Sequence, residues 1–267
     1  MSAFRVTLAA FVLATVPLAV AAPAHAILSE QKFTAAASSN IAGTKARPKP
    51  IALKVRAYFD DIAPDLDRQV QFALARANVY FPVDGRTNGS LFPSCEPATI
   101  MVDEKRCPTG SRVGRGNARG IGLGLDERVT IDLFNAARGA GVHMLVVGST
   151  PLIIREIVTG KLTRLTGDAR YGYRIEFEVP RNLQSPAPGV IAAVKEVFVS
   201  VPLQYARRGG RYLVRNGRRV PYIATTGCTG GSWYAKFVGE YTTTYDGAIE
   251  SRQTVEVNQP CWRAGER

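Results

Sequence analysis

Four cysteines constrain this chain more than any other feature. Cys95 and Cys107 lie about a dozen residues apart within the stretch 92–116, FPSCEPATIMVDEKRCPTGSRVGRG, and Cys228 and Cys261 bracket the C-terminal segment. In an exported chain four cysteines read as a disulfide framework with three possible pairings. Proximity favours Cys95–Cys107 and Cys228–Cys261, and in a chain-entropy picture each bridge stabilises by roughly 3 to 4 kcal/mol. Zinc is a poorer reading, because there is no Cys-x-x-Cys and no histidine beside a cysteine. A stapled corner therefore organises the chain, and it describes a fold without describing a reaction.

Export is read from residues 1–26. A positive start ends at Arg5, an apolar run over 6–22 is interrupted by Pro17, and Ala24 and Ala26 flank His25. This is the pattern of a secretory signal cleaved after Ala26. The run falls short of the roughly 20 apolar residues of a spanning helix, and no later stretch approaches that length, so no transmembrane segment is expected. The expected location is secreted, or associated with the cell envelope.

Charge narrows the partners. The chain carries 34 Lys and Arg against 22 Asp and Glu; without residues 1–26, 33 against 22 leaves +11. Such an excess attracts an anionic glycan, polymer or lipid surface, and nucleic acid only nonspecifically. Histidine narrows the chemistry. Only His25 and His143 occur, and His143 sits in an apolar, strand-like run over 141–148, where a packed imidazole is the simpler reading than a catalytic base.

Along the chain, residues 27–49 are rich in Ala, Ser, Thr and Lys and read as a flexible leader. From Ile51 the apolar residues alternate as in a half-buried strand. The stretch 66–81 fits either periodicity, with a strand-like end. Further strands are expected over 129–134, 142–147, 153–165, 171–179, 196–205, 212–215, 218–225, 232–245 and 248–257, separated by Gly, Pro, Asn and Asp. Two hairpin turns stand out, Asn216-Gly217 and Asp246-Gly247, whose residues tolerate positive φ. If Cys228 and Cys261 flank the second hairpin, their bridge closes the base of a terminal strand pair. The expected fold is all-β: one antiparallel β-sandwich, immunoglobulin-like or jelly-roll-like, over residues 50–262, with two disulfides and a short tail at 263–267.

Cys95 followed by Cys107-Pro-Thr-Gly-Ser-Arg-Val-Gly-Arg-Gly116 resembles the motif of a family of uncharacterised secreted actinobacterial proteins. Residues 171–180, the Pro188-Gly189 pair, Cys228 with Gly231-Ser-Trp233, and Cys261 extend the likeness over most of the mature chain. The resemblance implies location and fold, and it brings no catalytic residues.

Candidate chemistry is sparse. Gly114, Gly116, Gly120, Gly122 and Gly124 suggest a phosphate loop, but a further strand follows where a dinucleotide site needs a helix, so bends or bulges are expected. Glu176 and Glu178 share one strand face about 7 Å apart, compatible with acid and base work on a glycosidic bond, although two solvated acids explain them as well. Asp60, Asp61, Asp65 and Asp67 lack the spacing of a calcium loop, and no metal or cofactor is expected. The strongest surface feature is Arg207, Arg208, Arg211, Arg215, Arg218 and Arg219, interleaved with Tyr205, Tyr212 and Tyr222. Guanidinium groups fork onto anions and stack on aromatics, which suits a polyanion; charged edges also keep a hairpin from pairing with another sheet. The sequence thus favours a non-enzymatic binding or structural module over a carboxylate-dependent glycan-acting enzyme. A concave face carrying Glu176, Glu178 and an exposed Trp233 would favour the enzyme.

Overall fold

A computed structural model describes residues 31–59, 72–122, 125–150, 152–242 and 248–263. Among these, eleven strands form one antiparallel sheet: β1 (Gln31–Ala37), β2 (Leu53–Phe59), β3 (Ala73–Pro82), β4 (Arg112–Gly122), β5 (Leu125–Asn135), β6 (Gly141–Gly148), β7 (Ile154–Arg164), β8 (Tyr171–Glu178), β9 (Ala193–Val201), β10 (Ser232–Thr242) and β11 (Ser251–Pro260). Their lateral order is β1-β2-β9-β4-β5-β6-β7-β8-β3-β10-β11. Alternation dictates the faces. In β5, Val129, Ile131 and Leu133 point inward, while Arg128, Thr130 and Asp132 point out.

The sheet curls until its edges nearly meet. Glutamines join them: the Ala37 N–H donates to Gln259 Oε1 (2.7 Å), Gln259 Nε2 donates to the Ala37 carbonyl (3.2 Å), and the Gln31 N–H donates to Gln253 Oε1 (3.2 Å). The two packed faces expected of a sandwich are opposite walls of this one near-barrel. Curling brings the two terminal strands of the sheet, β1 and β11, to face each other. It also presses β4 against β9, where a Cβ on Gly116 would lie 2.0 Å from the Phe198 carbonyl oxygen. Gly114, Gly116 and Gly120 therefore serve close backbone approach to β9, and Gly124 lies outside the described residues.

Of the flexible leader expected over 27–49, the described part, 31–49, is corrected. Gln31–Ala37 is β1, paired along its length with β2, and Phe33 is buried in a stack with Phe237 (5.6 Å). Ile41–Ala42 runs parallel to Trp262–Arg263, and Lys49–Pro50 pairs with Ile223–Thr225. Small side chains hide this strand in the sequence, because Ala35 and Ala37 face an interior that they do not fill. The proposed signal, residues 1–26, lies outside the described residues, as do the turn at Asp246-Gly247 and the acidic cluster from Asp60 to Asp67.

Both cysteine pairs form as proximity predicts, Cys95–Cys107 and Cys228–Cys261, at the same end of the barrel. The first encloses an unforeseen helix, α1 (Pro97–Asp103), which starts at a proline whose missing N–H costs nothing there. Ile100 of α1 is fully buried against Phe134 and Leu145 on the outer side of the wall. Arg155 holds the end of α1, donating to the carbonyls of Ile100 and Met101 (both 2.9 Å) and pairing with Glu104 (2.7 Å). The second disulfide closes the base of β10 and β11.

Asn135 ties the stapled end together. Its fully buried side chain donates toward the carbonyls of Gly89 (2.9 Å), Pro93 (3.1 Å) and Phe92 (3.3 Å), and its Oδ1 accepts from the Tyr222 hydroxyl (3.2 Å). The loop leading to the first disulfide is thereby hung on the end of β5.

Candidate ligand-binding lumen and arginine ribbon

Eleven strands enclose more space than their inward side chains fill. Ala35, Ala57, Ala77, Ala118, Val129 and Val197 are among the groups facing the interior, and a cavity of about 370 Å³ remains. Val113, Tyr222 and Trp233 border it at the stapled end. Leu152, Ile154, Leu183 and Pro186 border it at the other, the latter pair from the segment around a short helix, α2 (Arg181–Gln184). The lining is overwhelmingly apolar. Arg86, Thr87, Arg119, Thr225 and Gln259 also border it, and the one carboxylate among the described lining residues is Glu127, in phase with Val129 and Ile131 on β5 and buried. Its Oε2 accepts from the Leu152 N–H (3.0 Å), whereas Oε1 has no hydrogen-bond partner among the described residues. That oxygen packs against Gly148, where a Cβ would lie 2.7 Å from it. Sequence reading began this strand at Val129; extending the alternation two residues back would have marked an inward-facing acid.

The paired acids stand elsewhere. Ile175 and Phe177 face the lumen, so Glu176 and Glu178 point outward, on the convex surface. Arg174 pairs with Glu176 (3.0 Å), and Arg76 lies 3.9 Å from both acids while binding Glu240 at 2.6 Å. Their charges are answered by arginines in a solvated surface network. Trp233 is corrected from an exposed aromatic to a buried one whose indole N–H donates to the Gly227 carbonyl (2.9 Å).

His143 lies in the outer layer of β6 with Nδ1 3.1 Å from Thr159 Oγ1, a packed strand residue. Burial lowers its pKa below the ordinary 6.5, against a smaller opposing effect of Glu96. The unfolded chain therefore takes up this proton first. Its contribution to stability is complete above 6.5 and declines as pH falls through 6.5, levelling once the folded imidazole also protonates. Melting temperatures compared between about pH 7.5 and 5.5 should fall more for the native chain than for His143→Gln, which keeps a hydrogen-bonding group beside Thr159. Equal falls would show that His143 is not the linked group.

The arginine cluster forms two consecutive ribbons. Arg207–Arg208 pairs with Arg211–Tyr212, and Val214–Arg215 pairs with Arg218–Arg219. Asn216 and Gly217 take positive φ (50° and 73°) in the second turn, as the tight hairpin requires. All six arginines are exposed, and none has a carboxylate partner among the described residues. Tyr212 lies between two of them, with Arg219 4.0 Å and Arg207 4.4 Å from its ring. Tyr222 does not belong to this surface: it is buried, edge-on to Phe92 at 5.0 Å.

No family model, curated protein or solved structure matches the chain. Among the described residues there is no cluster of His, Cys, Asp and Glu suited to a metal, and no helix long and apolar enough to cross a membrane.

Proposed function

We propose that this chain is a secreted, non-enzymatic binding module of the cell envelope or extracellular space, and that its ligand is an apolar small molecule enclosed by the barrel. The observation that carries this reading is the apolar lumen of about 370 Å³, within the range of small-molecule sites. Apolar surface moved from water into such a space gains roughly 25 cal/mol per Å². The two disulfides and the resemblance to secreted actinobacterial proteins support a place outside the cell.

Ala118 faces the lumen at mid-wall, between Val129 and Val197 on the neighbouring strands. Ala118→Phe should place a ring in the cavity and weaken binding of the neutral apolar dye Nile red by roughly tenfold or more, with the melting temperature unchanged or raised. If instead the dye does not bind the native chain and the variant loses about 1 to 3 kcal/mol, the interior is a filled core and the reading fails.

A second reading rests on the six arginines without acidic partners: an anionic polymer lying along the ribbon, in contact with the envelope. Replacing Arg208, Arg211, Arg215 and Arg218 with Ser should advance elution from a sulfated-polysaccharide column in salt; unchanged elution would remove the ribbon from consideration. The glycan-acting alternative finds less support, because Glu176 and Glu178 stand on the convex face beside arginines.

A further inference from the structure

Glu127 places a carboxylate where a barrel of this kind has every reason to be apolar. It is only 7 % exposed, it has no ion-pair partner among the described residues, and one of its oxygens is left without a hydrogen bond. Arg119, on the adjoining β4, also borders the cavity but is exposed and makes no ion pair with it. A buried carboxylate without a cation is costly, and among the described residues only the Leu152 N–H is supplied to it. Gly148 accommodates Oε1, since any larger residue would press on it. Two apolar residues near it in sequence are exposed, Leu125 by 52 % and Ile153 by 92 %.

We infer that Glu127 is the head-group site of the lumen, and that the ligand is a cationic amphiphile: a protonated amine donating to Glu127 Oε1, with its hydrocarbon along the wall of alanines and valines. This rests on the lumen being a binding site. An ammonium supplies both the missing donor and the missing charge, making a charge-assisted hydrogen bond away from water. An alcohol supplies the donor alone, and a carboxylate is repelled. The order of affinity is therefore amine, then alcohol, then acid.

The test is calorimetric titration of the purified, oxidised full chain near neutral pH with dodecylammonium, dodecanol and dodecanoate, each below its aggregation threshold. Dodecylammonium is expected to bind roughly tenfold or more tightly than dodecanol, which corresponds to a single charge-assisted hydrogen bond. Glu127→Gln keeps an oxygen for the Leu152 N–H and should abolish that preference while leaving dodecanol affinity within about threefold. Gly148→Ala retains the charge but crowds Oε1, and should lower dodecylammonium affinity selectively; it serves if the Gln variant folds poorly by circular dichroism. Equal binding of amine and alcohol, or a preference that survives Glu127→Gln, overturns the head-group assignment while leaving an apolar lumen site. Failure of all three probes and of Nile red overturns the lumen reading itself, and this inference with it.

Discussion

Asn135→Ala is expected to destabilise the fold by about 3 to 4 kcal/mol, a large share of a domain's net stability. The side chain is wholly buried, so its loss leaves the carbonyls of Phe92 and Pro93 facing a void, removes one of the two donors to the Gly89 carbonyl, which keeps the Phe92 N–H, and takes the acceptor of the Tyr222 hydroxyl. Leaving buried polar groups unpaired costs more than a bond exchanged with water returns. Asn135→Asp separates chemistry from volume. It keeps the shape and the acceptor but turns a carboxylate toward three carbonyls, and should cost at least as much as alanine. Urea midpoints under oxidising conditions measure both; a loss below about 1 kcal/mol for the Asp variant would show that the amide donors contribute little.

Removing Cys228–Cys261 by substituting both residues with Ser is expected to cost about 4 kcal/mol, against about 3 for the shorter Cys95–Cys107 loop. The larger effect has a structural side. Cys261 follows Gln259 by two residues, and Gln259 carries the side-chain bonds that hold β11 to β1. Freeing the base of β10 and β11 should therefore loosen the seam, and amide exchange should rise in β11 and also in β1, which is far from the altered residues in sequence. Loss of Cys95–Cys107 should raise exchange mainly in α1. Uniform exchange increases in both variants would mean that the seam does not depend on the second bridge.

These two sites differ in how they could have been found. The disulfides were legible because each closes a short loop, so proximity along the chain predicts proximity in space. The arginine hairpin was legible for the same reason: Asn216-Gly217 names its own turn, and the pairing of Arg215 with Arg218 follows. Alternation marked β5 to β8 and the outward placement of Glu176 and Glu178, because period two is a local property of the pleat. Asn135 gave no such signal. Its partners lie more than forty residues away in sequence, and an asparagine at the end of an apolar strand looks like the start of a turn.

The sequence by itself determined an all-β, two-disulfide chain, the alternation that sorts side chains to two faces, and the exposed basic hairpin, since all of these are settled by neighbours within one strand or loop. Only the tertiary structure decided that the faces belong to one curled sheet, that residues 31–37 are its first strand, and that the inner face encloses a cavity with Glu127 at one end. Closure joins Ala37 to Gln259, 222 residues apart, and whether alanines and valines pack to density or leave a lumen depends on how many strands surround them, a quantity that no local pattern contains.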